Sequence, residues 1–174
     1  MSETAPQAAP ASTPAAGSAP APAPGSTPAP TPAPASPAER FRHGLRLLLA
    51  GDIPGWVGLW AEDGVMEFPF APPEWPRRLE GREAVADYMR PYPDHIDLHD
   101  FPEADLRIHE TADPRTLVVE MRATGRLVRT GDPHDMTYVA VVTFDADGLI
   151  TGYRDYWNPL AALGPGAAFA GSAR

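Results

Sequence analysis

Residues 115–157 read as three long strands closed by tight turns, and that run leaves few folds open to the chain. Thr111-Ala112-Asp113-Pro114 turns the chain into residues 115–127. Thr130-Gly131-Asp132-Pro133 leads into residues 136–144, and Asp145-Ala146-Asp147-Gly148 into residues 149–157. Asp/Gly turns between alternating apolar runs are hairpin signals, so these strands follow one another antiparallel. The middle strand is apolar on both faces, with Tyr138, Ala140 and Val142 on one and Val139 and Val141 on the other. That pattern suits the centre of a sheet. Ahead of it, Ala104, Leu106 and Ile108 alternate with Asp105, Arg107 and His109, giving a fourth strand with one dry and one wet face.

The part before residue 104 carries helical signals. Ser36-Pro37-Ala38-Glu39 matches a capping box, and Phe41, Leu45, Leu48 and Leu49 follow at helical spacing up to Gly51. A second helix is expected over residues 53–61 with Ile53, Trp56 and Trp60 as its buried stripe. Residues 65–70 then form a strand, residues 77–80 a short partner strand, and residues 82–90 a third helix stopped by Pro91 and Pro93. Helices first and a strand meander afterwards give an α+β fold, with the helices on one face of a curved sheet.

Residues 1–37 differ in kind. They hold 11 of the chain's 23 prolines, and Glu3 is their one charged side chain. Such a stretch has no means of forming a core, so a disordered, partly extended tail is expected there. The domain is expected over residues 38–164, with a flexible C-terminus at 165–174. The tail has neither the basic nor the apolar region of a secretory signal, and no window is apolar for long enough to span a membrane. The formal charge of −9 argues against nucleic acid and anionic membranes as partners. The absence of cysteine excludes disulfides and thiolate chemistry and fits a cytoplasmic protein.

The chemistry-bearing candidates lie mostly on the strands. Tyr153, Asp155 and Trp157 alternate onto one face, setting a carboxylate between two aromatic rings. Desolvation there raises a carboxyl pKa toward the range useful for proton transfer. Asp155 is thus a candidate acid or base, the alternative being a structural carboxylate held by backbone or arginine donors. Glu120 stands in an apolar run, either as a second carboxylate of the same site or in an outer-face ion pair with Arg122 or Arg154. Tyr138 and Tyr88 are candidate hydroxyl donors to a ligand oxygen, or core tyrosines. Asp63 is expected to hold the turn at Gly64, and Glu67 to stand at a site mouth or in water. The histidines show no metal-ligating spacing, and His95 and His99 are read as loop residues. No Gly-rich phosphate loop, dinucleotide fingerprint or Ser-His-Asp arrangement is present, so chemistry without a cofactor or metal is expected.

Several phrases stand in a fixed order along the chain: Leu59-Trp60…Asp63, Phe68-Pro69-Phe70-Ala71-Pro72-Pro73, Leu79-Glu80-Gly81-Arg82-Glu83-Ala84, Asp147-Gly148-Leu149-Ile150 and Asp155-Tyr156-Trp157-Asn158-Pro159-Leu160. Together they make residues 39–164 resemble the SnoaL-like group of the nuclear transport factor 2-like superfamily. The last phrase is also similar to the phenazine-biosynthesis A/B proteins, where a Glu stands at the position of Asp155 and acts as a general acid. The resemblance implies a cone-shaped α+β barrel, three helices on a strongly curved mixed or antiparallel sheet enclosing an apolar cavity, and a homodimer. It implies an isomerase, cyclase or condensation enzyme of secondary metabolism acting on a small apolar carbonyl compound. Asp155, Glu120 and Tyr138 would be catalytic, with Trp60, Phe68, Tyr88, Tyr153 and Trp157 around the substrate. The alternatives are a non-catalytic binder of a hydrophobic small molecule and an adaptor tethered by its tail.

Overall fold

The computed structural model describes residues 36–160. The expected disorder of the tail up to residue 35, the turn expected beyond Leu160 and the C-terminal end all fall outside the described residues.

Helix α1, Pro37–Leu49, starts at the capping box read from the sequence. Ser36 Oγ accepts from the Glu39 N–H at 3.2 Å, and Glu39 Oε2 accepts from the Ser36 N–H at 2.7 Å. Phe41, Gly44 and Leu45 form its buried stripe. Gly44 is needed for close approach, because a Cβ there would stand 3.3 Å from Leu59 Cδ1 and 3.5 Å from Trp56 Nε1.

Helix α2 runs only over Ile53–Val57 and ends at Gly58, so the longer helix expected from the sequence does not form. Trp60 instead opens strand β1, Trp60–Glu67. The cause is non-local: Trp60 pairs with Ile150 in a parallel ladder, and the Ile150 N–H donates to the Leu59 carbonyl at 2.8 Å. Strand pairing here overrides the helical spacing of Trp56 and Trp60. Strand β2, Arg78–Glu80, then pairs antiparallel with β1, and α3 spans Arg82–Met89.

Pro91 and Pro93 do not leave the chain in a loop. Pro91 caps a one-turn helix α4, Tyr92–His95, and Pro93 occupies its first turn, where a missing N–H costs nothing. A strand not foreseen, β3, covers Ile96–Asp100 and carries His99. A 3-10 turn at Glu103–Asp105 precedes β4, Arg107–Glu110. The long strands follow as β5, Thr116–Leu127, β6, Pro133–Phe144, and β7, Ile150–Trp157.

The sheet order is β2-β1-β7-β6-β5-β3, with β4 also paired to β5. The sheet is curled but unclosed, and β6 is central as expected. Leu117, Val119 and Met121 of β5, Met136, Ala140 and Val142 of β6, and Tyr153 and Trp157 of β7 form the buried face. Phe41, Ile53, Trp56 and Val85 from the helices join the same core. Among the described residues no helix is long and apolar enough to cross a membrane.

Candidate active site

Strand register decides what surrounds Asp155. Asp155 lies opposite Ala140, and Ala140 lies opposite Val119, so the row across the buried face offers the carboxyl only a methyl and an isopropyl group. Along β7 it stands between buried Tyr153 and buried Trp157. Its Oδ1 is buried and has no hydrogen-bond partner, although the residue retains some accessible surface. At Oδ1 water is lost and no donor replaces it. Desolvation alone pushes the carboxyl from 3.8 up to about 7.

Four phenols share this region. Tyr88 from α3, Tyr92 from α4, Tyr138 from β6 and Tyr153 from β7 are all raised above the ordinary tyrosine value, chiefly by burial. The Asp155 charge adds to the rise in each, and Tyr92 is pushed up to about 12. All four are therefore neutral O–H donors at neutral pH. Tyr138 Oη stands 3.4 Å from His134 Nε2 and 3.6 Å from Met136 Sδ, both long contacts. Burial lowers the His134 pKa, against the opposing charge of Asp135. Where β5 and β6 meet β3, a pocket of about 230 Å³ is lined in part by His99, Arg126, His134 and Asp135.

Not every residue singled out in the sequence converges here. Tyr88, Tyr138, Tyr153 and Trp157 lie on the same buried side as Asp155. Glu120 does not, and the carboxylate pair expected with Asp155 does not form. Strand alternation puts Glu120 on the opposite face from Val119 and Met121, with its side chain 44% exposed. It sits 2.9 Å from His109 Nε2 and 3.7 Å from Arg107 Nη1, both on neighbouring β4, rather than with Arg122 or Arg154. Trp60 has no surface open to a ligand: it packs between Trp56 at 5.4 Å and Tyr153 at 6.0 Å, ring centre to ring centre. Its Nε1 is buried without a partner. Phe68 is buried against Tyr88 at 5.1 Å, and Trp157 is covered by Trp75 at 5.3 Å. Asp63 is an exposed strand residue, and Glu67 is paired with Arg78 at 2.6 Å.

Two residues escaped the sequence reading. Tyr92 follows Tyr88 by four positions, a spacing that keeps both on one side where the helical path continues. His134 alternates with Met136, Tyr138 and Ala140 on the buried face of β6, a signal available from the pattern of that strand.

The comparisons agree with this geometry at the level of family and fold. The SnoaL-like domain family matches residues 38–153. A PhzA/B-like protein of Pseudomonas aeruginosa is 41% identical over 121 residues, which cover 70% of this chain and 83% of that protein. A crystal structure from Bacillus subtilis, provisionally named an isomerase, aligns with TM-score 0.66 and 38% identity over 70% of this chain and 86% of its own. RV0760c of Mycobacterium tuberculosis, solved in complex with estradiol-17beta-hemisuccinate, aligns with TM-score 0.60 and 22% identity over 71% of this chain and 95% of its own. The chain belongs to the SnoaL-like family and has the cone-type fold of the nuclear transport factor 2-like proteins.

Proposed function

We propose that this protein is an acid/base enzyme of isomerase or cyclase type, acting on a small apolar metabolite that carries a carbonyl group. The observation that supports this reading is Asp155: a carboxyl on a buried, aromatic-lined face, with Oδ1 unpartnered and a pKa raised to about 7. Near neutral pH such a group holds both protonation states in comparable amounts, the condition under which one side chain serves as base and then as acid. As carboxylate, Asp155 takes a proton from the carbon beside the carbonyl. The electron pair moves onto oxygen, where the Tyr138 hydroxyl donates a hydrogen bond to the enolate. Protonated Asp155 returns the proton to the same conjugated system at another carbon, or the enolate carbon attacks a second carbonyl of the same molecule, whose C=O π pair moves onto its oxygen and takes the proton back from Asp155. The proton inventory balances without any outside reactant in the isomerisation, and positioning in a dry site supplies much of the acceleration.

Tyr153 and Trp157 flank the acid along its strand, and Tyr88 and Tyr92 approach it from the helical side. Trp60 and Phe68 support these rings from behind, since burial leaves them nothing to offer a ligand directly. Glu120 has no part in the reaction.

The steroid ester bound by the Mycobacterium tuberculosis protein sets the ligand size from which a search starts. The test is proton–deuterium exchange of cyclic ketone and enone probes, followed by proton NMR in D₂O. Wild-type protein is expected to accelerate exchange with an apparent pKa near 7, and Asp155→Asn to lose about 10²–10⁴-fold. Exchange that is equally fast with Asp155→Asn would leave a binding role in its place.

A further inference from the structure

His134 is a buried polar side chain on a sheet face otherwise built from apolar groups, the tyrosines and Asp155. A buried imidazole in such a place calls for a partner. The structure gives it one, the Tyr138 hydroxyl at 3.4 Å. The neighbouring charges are engaged elsewhere. Asp135 binds Arg122, with Oδ1 on Nε at 2.7 Å and Oδ2 on Nη2 at 2.6 Å. His99, on β3, sits 3.0 Å from Asp97, and Arg126, on β5, donates to the Gly131 carbonyl at 3.2 Å. Opposite His134 on β5 is Gly125, which contributes no side chain. His134 therefore stands between the pocket shared with His99 and Arg126 and the buried phenol of Tyr138.

The Tyr138 hydroxyl has one proton and two neighbours that hold it loosely, an imidazole nitrogen at 3.4 Å and the Met136 sulfur at 3.6 Å. Neutral imidazole has one N–H, so Nε2 is either acceptor or donor. As acceptor it takes the Tyr138 proton into its own hydrogen bond. As donor, or when the ring is protonated, it leaves the Tyr138 O–H free. We infer that His134 is a positioning residue for the Tyr138 hydroxyl: its imidazole decides whether Tyr138 commits its proton to the histidine or presents it to an oxygen held beside Asp155. The second half rests on the proposed acid/base role of this site, whereas the coupling of the two side chains stands apart from it.

Two measurements separate the two halves. The first needs no substrate: protein carrying ¹³Cζ-tyrosine is titrated from pH 5 to 8 by NMR. The Tyr138 resonance, assigned by its loss in Tyr138→Phe, is expected to move with the ionisation of His134. The part of that movement that follows His134 should disappear in His134→Gln, leaving only the part that follows Asp155, whose charge also acts on Tyr138. A Tyr138 resonance that titrates identically with and without His134 overturns the inference, whatever the enzyme does. The second is the exchange assay with His134→Phe, Tyr138→Phe and the double variant. His134→Phe is expected to lower the maximal rate about tenfold with little change in half-saturating probe concentration, with no further loss in the Tyr138→Phe background. His134→Gln, which keeps a hydrogen-bonding group, should restore most of the rate. Independent, additive losses overturn the inference while leaving Asp155 in its role. Should His134→Phe fail to fold, His134→Leu takes its place in the exchange assay, and the Gln variant still carries the titration.

Discussion

Ionising Asp155 in the folded protein costs free energy that water supplies in the unfolded chain, and this links the site to stability. The native carboxyl titrates at about 7 against an ordinary 3.8. Below about pH 4 both states hold the proton and nothing is lost. Between about 4 and 7 the unfolded chain has released its proton while the native state keeps it, so stability falls as pH rises. Above 7 the full penalty is present, roughly 4 kcal/mol at 1.36 kcal/mol per pH unit. Asp155→Asn removes that penalty while leaving a buried amide of its own. The variant is therefore expected to match wild type near pH 4 and to exceed it by about 1–4 kcal/mol at pH 8, measured by urea unfolding at both values. A difference that does not change with pH would refute the buried-carboxyl account. Glu120 makes the opposite case: its partners sit in water, so Glu120→Gln should change stability by less than about 1 kcal/mol and leave exchange rates unaltered.

At the level of elements, legibility followed locality. The capping box at Ser36 and Glu39 involves residues three apart, and it was readable letter by letter. The hairpin turn at 145–148 was equally readable, because Asp145 Oδ1 accepts from the Asp147 and Leu149 N–H groups within its own loop. Strand alternation placed Tyr153, Asp155 and Trp157 together, and would have placed Glu120 on the other side had the buried face of β5 been identified from Leu117, Val119 and Met121. What stayed hidden depended on distant partners. Trp60 reads as helical until Ile150 claims it, and β3 is defined by its pairing with β5. Gly125 marks that last contact, since a Cβ there would run into the Asp97 carbonyl. Gly125→Ala is expected to push β3 away from β5. Hydrogen exchange should then speed up selectively across Ile96–Asp100, and unchanged protection there would show that the strand does not depend on this approach.

For the molecule as a whole, one core both stabilises the fold and backs the strand that carries Asp155. Trp60 links the helical layer to β7 through Trp56 and Tyr153, so truncating it both empties the core and removes the support behind the acid's strand. Trp60→Ala is expected to cost about 3–5 kcal/mol, read from denaturant midpoints, and a cost below 1 kcal/mol would mean that Trp60 is not the keystone described. The sheet's other face carries Val139, 37% exposed, on the central strand. We propose that a second copy covers that face, and sedimentation at micromolar concentration should find a dimer that Val139→Lys dissociates. A monomeric wild type would rule this pairing out.

The parallel ladder between β1 and β7 has a consequence for how the protein comes into being. β1 leaves the ribosome early and β7 roughly ninety residues later, so the strand that completes β1 does not exist while the intervening chain is being made. Until then β1 has only three-residue β2 beside it, and its other side is an unpaired edge able to recruit foreign strands. Asp155 rides on that later-made strand. The buried carboxyl therefore arises in the step that also closes the vulnerable edge, and a chain arrested before β7 docks would be prone to aggregate and would lack that buried group.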